Sequence, residues 1–241
     1  MKRIEGEKDM EQKQEKEEQK EEQNLKKEQP DQESDTRIHK IVQAEWEMFD
    51  CVSNAGGRAG CQDDWETFDI MRRSQFSVWD AESLQSYWND LQDAEAQGRN
   101  LLTEKYAYMM QDTCPEEYQK IAKELPVLSK EKQKLVSELT ELQTRWMERF
   151  HESHPLFGSQ GRAVRKKDAY PGEASVETYA MGELSTYSEK TLACLKACYE
   201  TLEQQEKHPE VLQMDYMARC YGYQSAEEAE QRLRQSRSQS I

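Results

Sequence analysis

Residues 45–79 read EWEMFDCVSNAGGRAGCQDDWETFDIMRRSQFSVW, and this stretch decides the fold prediction. It holds three of the five tryptophans, two of the six cysteines and the Gly56-Gly57 pair. Apolar residues recur at spacings of three and four on both sides of a glycine-rich loop, which predicts two amphipathic helices joined by a turn. Charged residues also stand on the predicted apolar faces, so we expect a polar site inside the protein here.

The rest of the chain continues the same spacing, without a sustained alternation of apolar and polar residues. We therefore predict an all-α fold, in which residues 37–234 form a single helical domain of about seven or eight helices. The predicted helices cover residues 37–52, 63–79, 81–111, 115–125, 129–152, 175–205, 209–221 and 225–234. The long segment 154–172 is predicted as a loop between the fifth and sixth helices.

The two ends of the chain lack the apolar residues that a packed helix needs. Residues 1–36 are almost entirely Glu, Lys, Gln and Asp, and such a segment buries too little apolar surface to offset its ordering entropy. We predict a disordered charged tail over residues 1–36 and a frayed C-terminus over residues 235–241. A second interpretation is that the tail binds a protein partner.

Composition excludes several classes of function. The net charge of −15 argues against nucleic-acid binding, because neutralising phosphates needs a basic surface. The chain has no apolar run near the ~20 residues that span a bilayer, and no signal-peptide segment near Met1, so we predict no membrane association. Six cysteines are too sparse for a disulfide scaffold, which indicates free thiols and a cytoplasmic protein.

Three polar residues give the clearest signal of a site. Glu45 falls in the middle of the apolar stripe of the first helix, and Arg72 and Gln75 fall on the apolar face of the second. A buried charge is costly unless it is paired, so we predict that Glu45 pairs with Arg72 and that Gln75 bonds one of them. Two interpretations stay open: a structural ion pair, or the polar floor of a pocket walled by the three tryptophans of the stretch.

The loop from Asn54 to Gln62 is the second candidate. Its three glycines allow close backbone approach, Arg58 adds positive charge, and the loop leads into a helix N-terminus, which together are typical of an anion site. A plain interhelical turn explains the same residues. Cys61 lies just before that helix, where a thiol pKa is lowered, so it is the most plausible nucleophile, with an inert thiol as the alternative.

No metal or other cofactor is indicated by the sequence. His151 and His154 are three residues apart at the end of the fifth predicted helix, but a third ligand is not identifiable. Histidines at a helix C-terminus also interact favourably with the helix dipole. We therefore predict no metal site and leave the cofactor open.

Several short sequence motifs resemble those of an uncharacterised bacterial family, which is known only as a domain of unknown function, the 4125 family. The words are N-x-G-G-R-A-x-C-Q, then M-R-x-S-Q and W, then G-E-L-x-T-Y-S, and the likeness spans about residues 38–233. They place at motif positions Asn54, Arg58, Cys61, Gln62, Arg72, Gln75, Trp79, Glu183 and Tyr187. Met181 departs from the arginine that we associate with its position. The resemblance implies a bacterial cytosolic protein and no established activity.

We expect a pocket between the first, second and sixth predicted helices, with the loop of residues 54–62 at its mouth. The predicted function is binding of a small anionic or polar metabolite, with or without a reaction. The ligand-binding residues would be Asn54, Arg58, Gln62, Arg72, Gln75, Trp79 and Tyr187, and the catalytic ones Glu45, Cys61 and Glu183. The alternative is a non-enzymatic interaction or regulatory module, in which the buried polar residues are structural.

Overall fold

The computed structural model describes residues 32–54 and 56–239, and all the regular structure in these ranges is helical. The predicted all-α class is confirmed, but these ranges hold eleven α-helices instead of seven or eight. The helices are α1 (Gln32–Asp50), α2 (Trp65–Phe76), α3 (Ala81–Ala96), α4 (Leu101–Thr113), α5 (Pro115–Ile121), α6 (Lys130–Ser153), α7 (Pro155–Gly158), α8 (Val176–Leu184), α9 (Glu189–Gln204), α10 (Pro209–Cys220) and α11 (Ala226–Gln239). Two 3-10 turns, Gly60–Asp63 and Lys166–Asp168, complete the regular structure.

The ends of the described chain differ from the predicted boundaries. Helix α1 already includes Gln32, the first described residue, ahead of the predicted start at Arg37, and α11 continues to Gln239. The disorder predicted for the N-terminal tail otherwise concerns residues 1–31, which lie outside the described residues. No helix in the described ranges is both long enough and apolar enough to cross a bilayer.

The predicted third helix is two helices, because the chain reverses at Gly98. Gly98 has φ +65°, a conformation that glycine adopts without a Cβ penalty. The N–H of Gly98 donates to Glu95 O (2.9 Å) and that of Arg99 to Ala94 O (2.8 Å), the pair of bonds of a Schellman motif. Asn100 then caps α4 by accepting from the Thr103 N–H.

The predicted sixth helix is also two helices, and no glycine marks the break. The hydroxyls of Ser185 and Thr186 donate to the carbonyls of Met181 and Glu183, which offers the backbone an alternative to the next helical turn. Ser188 then caps α9, its hydroxyl accepting from a backbone N–H. Short polar side chains therefore separate α8 from α9.

The segment predicted as a long loop is tied down at several points. It contains the short helix α7, whose first N–H groups, of Leu156 and Phe157, donate to the buried carboxylate of Glu230. Further along, the Arg165 guanidinium donates to Glu141 and Glu148 on α6. These bonds fix the segment against the helices beneath it.

The core brings together side chains from α1, α2, α3, α4, α6, α8 and α9. Helices α4 and α8 approach each other at Gly182, where an added Cβ would lie 2.5 Å from Met109 Cγ and 2.9 Å from Lys105 O. The absence of a side chain at Gly182 therefore sets how closely the two helices pack, and the close approach places Glu183 beside α4.

Candidate functional site

Arg72 on α2 is the centre of a buried hydrogen-bond network. Its Nε donates to Glu45 Oε2 (2.7 Å) and its Nη2 to Glu45 Oε1 (2.6 Å), a bidentate pair. Its Nη1 donates to Gln75 Oε1 (2.7 Å) and to Glu183 Oε2 (3.0 Å). The predicted pairing of Glu45 with Arg72, and the bond from Gln75, are both present.

Glu183 on α8 is the second acid of the network. It accepts from the Lys105 ammonium, from the Gln75 amide and, at 2.6 Å, from the Tyr187 hydroxyl. Five helices therefore meet here, because Tyr87 on α3 also donates to Glu45 Oε1 (2.7 Å).

The four charged groups of this network are removed from water and neutralise one another. Their residue exposures are 1% for Glu45, 7% for Arg72, 7% for Lys105 and 8% for Glu183. Two acids face two bases, so the formal charges cancel. Burial of each charge is costly, and the bidentate and shared hydrogen bonds offset that cost.

The pKa shifts in the network follow from burial and from this pairing. Burial raises the pKa of Glu183, but the charges of Arg72 and Lys105 outweigh burial and hold that pKa well below its usual value. Burial lowers the pKa of Lys105, although Glu183 opposes the shift. Burial raises the pKa of Tyr87 and of Tyr187 well above the usual value, so both phenols stay protonated and donate.

The three tryptophans of the 45–79 stretch do not form one wall. Trp79 packs in the main core with its ring centroid 5.8 Å from Tyr87 and 5.9 Å from Tyr187. Trp46 and Trp65 contact each other, with centroids 5.3 Å apart, in a second aromatic cluster that contains Phe68. Only Trp79 lies beside the polar network.

The glycine-rich loop is closed on itself through Gln62. The Gln62 amide donates to the carbonyls of Phe49 and Val52, both at 2.9 Å, at the C-terminal end of α1. Its Oε1 accepts from the Asn54 side chain and from the Ala59 N–H. Gln62 is 1% exposed, so it satisfies orphan carbonyls at the end of α1 and orders the loop.

Arg58 pairs with two acids that flank the loop, Asp50 at the end of α1 and Asp63 in the 3-10 turn. Its Nε donates to Asp63 (2.8 Å), and its Nη2 donates to Asp50 (2.6 Å) and to Gln62 O (2.7 Å). Cys61 is exposed at the surface. Asn54, Arg58, Cys61 and Gln62 share no hydrogen bond with the Arg72 network within the described ranges.

Lys105 is a member of the network that the sequence analysis missed. It lies four residues after Leu101 and four before Met109, on the apolar face of α4. The criterion that singled out Glu45, a charge within an apolar stripe, applies equally to Lys105. Treating α3 and α4 as one helix obscured this phase.

A groove of about 620 Å³ lies beside α4 and α8. Its walls come from α4, α5, the connection of residues 122–129, α6 and α8, and we call it the α4–α8 groove. The volume falls within the range of about 300–1,000 Å³ usual for small-molecule sites. Thr140 lines the groove, is 8% exposed, and has a hydroxyl without a hydrogen-bond partner among residues 32–54 and 56–239.

The groove and the network are built on the same two helices. Helix α4 carries Lys105 in the network and Tyr108 in the groove, one turn apart. Helix α8 carries Glu183 in the network and Met181 in the groove wall, and Ser185, which directly follows α8, lies in the same wall. The network therefore fixes the position of two walls of the groove.

His151 and His154, which the sequence analysis considered as metal ligands, both make packing contacts in the structure. The His154 ring stacks on Phe150 with centroids 4.5 Å apart, and its Nδ1 lies 2.8 Å from Ser153 Oγ. His151 packs against Gly158. Across the described part of the chain, no three His, Cys, Asp or Glu side chains are grouped as metal ligands.

Fold and site together define an all-helical protein organised around a buried, internally neutralised set of two acids and two bases. The chain belongs to the family described as Protein of unknown function (DUF4125), whose model matches residues 35–231. No curated protein and no solved structure matches the chain. The family description names no activity, so function is inferred from geometry.

Proposed function

We propose that this protein is a small-molecule-binding domain whose ligand occupies the α4–α8 groove. The observation that carries the proposal is the α4–α8 groove of about 620 Å³, whose wall includes Thr140 with a buried hydroxyl that lacks a hydrogen-bond partner in the described residues. An unsatisfied buried hydroxyl costs free energy, and a ligand group that bonds it recovers that cost.

The Arg72 network supports this function by positioning the groove walls. All five guanidinium N–H groups of Arg72 have acceptors on Glu45, Gln75 and Glu183. Since the donors of Arg72 are already used, we assign the network a structural role, which is the interpretation of Glu45 and Arg72 as a structural ion pair. Catalytic roles for Glu45, Glu183 and Cys61 stay predictions, as does ligand binding by the remaining predicted residues.

The test is a thermal-shift screen of a metabolite library against the full chain and a groove-filling variant. Ser137→Trp is suited to this because Ser137 lies in the groove wall but is exposed, so the larger side chain extends into the groove without entering the core. Hits that raise the Tm of the wild type should leave the Tm of Ser137→Trp unchanged.

A matched control separates groove filling from general effects of an added indole. Thr201→Trp places the same side chain at an exposed hydroxyl position on α9, away from the groove, and should keep the wild-type response. Hits that stabilise all three proteins equally would contradict the proposal.

Two further predictions stay part of the proposal. The cytoplasm is the proposed compartment, because six cysteines spread over the chain suit a reducing environment.

A protein partner for the N-terminal tail is tested by deleting residues 1–31 and comparing partner recovery; unchanged recovery would count against it.

A further inference from the structure

We infer that the ligand of the α4–α8 groove is a small amphipathic cation, an amine joined to an apolar or aromatic body, recognised by Asp112 and Thr140. The inference rests on the proposed function and adds the chemical class of the ligand. It is based on the charge of the groove wall, on the pairing of each carboxylate there and on the position of the unpartnered hydroxyl.

The groove wall is acidic and partly aromatic. Three carboxylates line it, from Asp112, Glu141 and Glu177, against the single ammonium of Lys166. The remainder of the wall is mainly apolar, from residues such as Val136 and Met181. An anionic ligand would meet repulsion from this wall, whereas a cation with an apolar body complements it.

Asp112 is the groove carboxylate whose contacts are longest. Glu141 receives the Arg165 guanidinium at 2.6 Å, and Glu177 accepts from the Lys166 backbone N–H at 2.9 Å. Asp112 has only long contacts, to Lys166 Nζ at 3.4 Å and to Thr178 Oγ1 at 3.2 Å. Charge-assisted N–H···O bonds are usually about 2.7–2.9 Å, so a ligand ammonium can improve on the present partner.

Lys166 is positioned to give way to such a ligand. Its side chain is 58% exposed, whereas the side chain of Asp112 is 22% exposed. A long, hydrated lysine can move into solvent at small cost, because an exposed ion pair of this kind contributes little. The ligand amine would then take the place of the Lys166 ammonium beside Asp112.

Two tyrosines add a second means of recognising a cation. Tyr108 and Tyr118 both line the groove, and Tyr108 is largely buried, with its hydroxyl donating to Pro126 O at 2.8 Å. Their ring faces attract an ammonium placed within about 6 Å of the centroid. The Thr140 hydroxyl is buried behind the groove wall, and by turning toward the ligand it would supply one further hydrogen bond, for an amine or a second polar group.

The experiment compares charge-matched probe pairs by isothermal titration calorimetry on the full chain. The pairs are tryptamine with indole-3-propionate, and phenethylamine with 3-phenylpropionate, which share an aromatic body and differ in the sign of the charge. Both amines should bind at least tenfold more tightly than their carboxylate partners, and the preference should shrink with added salt.

Two conservative variants locate the recognition. Asp112→Asn keeps the shape of the side chain and removes its charge, and should weaken amine binding about tenfold or more. Thr140→Val removes a hydroxyl that has no protein partner, so the protein should stay folded while amine binding weakens severalfold. Glu131→Gln, an exposed acid at the start of α6, is the control and should bind like the wild type.

The outcomes separate the two proposals. Carboxylate probes that bind as tightly as the amines, and more weakly to Thr140→Val, would overturn the cationic ligand and leave the groove function standing. Amine binding that Asp112→Asn leaves unchanged would also overturn the inference. If neither the amines nor the carboxylates bind, the cationic ligand class is rejected. Whether the groove binds a small molecule of another class is then tested by the thermal-shift screen with Ser137→Trp.

Discussion

A single guanidinium, that of Arg72, joins side chains from three helices that are far apart in the chain. Glu45 precedes it by 27 residues and Glu183 follows it by 111. Because the planar guanidinium presents five donors in a fixed fork, it bonds both carboxylates and the Gln75 amide at once. A lysine at this position has neither the reach nor the geometry to do so.

Removing Arg72 should destabilise the protein strongly. Arg72→Met leaves Glu45 buried without a cation and Glu183 with Lys105 alone, and breaking a buried pair in this way costs about 3–5 kcal/mol. Urea unfolding measures the loss as a lower midpoint.

The exposed ion pair of Arg232 with Glu228 is the control for this prediction. Arg232→Met should cost less than about 1 kcal/mol, because exposed pairs contribute little. Equal midpoints for the Arg72 and Arg232 variants would contradict a structural role for the network.

The network should also make stability depend on acid pH through Glu183. Its pKa is lowered in the folded state, so the unfolded chain binds the proton more readily. The stabilisation is present above the unfolded pKa of about 4.3 and is lost as the pH falls below it.

The measurement is the free energy of unfolding between pH 6 and pH 3, for the wild type and for Glu183→Gln. The difference between the two proteins should shrink steadily below about pH 5, because the wild type alone loses the contribution of the ionised carboxylate. A constant difference over this range would show that Glu183 does not titrate as its pairing requires.

At the scale of the helix, the conformation of single residues sets where helices end, and the motif at Gly98 divides one predicted helix into two. Helices α3, α9 and α10 all end in Schellman motifs, with the left-handed residue being Gly98, Glu206 or Gly222. Glycine adopts that conformation freely, but Glu206, at φ +55°, is strained by its Cβ.

Replacing Glu206 with glycine should therefore stabilise the protein. The left-handed conformation costs an L-residue about 1–2 kcal/mol, and glycine relieves this cost. Because glycine also has greater conformational freedom in the unfolded chain, the net stabilisation is about 0.5–1 kcal/mol. A rise in Tm of a few degrees in scanning calorimetry checks the prediction.

Glu200→Gly is the matched control for this substitution. Glu200 is exposed in the interior of α9, where glycine costs about 1 kcal/mol instead of relieving strain. A lower Tm for both variants would mean that the conformation of Glu206 carries no strain.

At the scale of the whole molecule, polar and apolar packing are arranged around the pair α4 and α8. The pair contributes Lys105 and Glu183 to the neutralised network, and Asp112 and Met181 to the groove wall. Gly182 allows the close approach on which both depend. A ligand in the groove and the ion network therefore contact the same two helices. These shared helices link the stability of the folded protein to the proposed binding of a ligand.

Much of this arrangement could be predicted from residue patterns alone. Spacings of three and four determined the all-α class, because an amphipathic helix has to bury one face. The same reasoning predicted the pairing of Glu45 and Arg72, since a charge within an apolar stripe needs a partner. The same reasoning could have predicted the helix break at Gly98 and the role of Lys105. Both were missed because the predicted third helix ran through Gly98 without a boundary.

Only the tertiary structure decided which helices meet. Periodicity assigns a residue to a face but does not say which face packs against it, so the convergence of Glu183 and Lys105 on Arg72 was not readable from the sequence. The same limit applies to Arg58, whose pairing with Asp50 and Asp63 the sequence spacing did not identify. The α4–α8 groove is likewise a space between elements, formed by residues from distant segments. Local patterns specify which surfaces must be buried, and long-range packing alone specifies what lies between them.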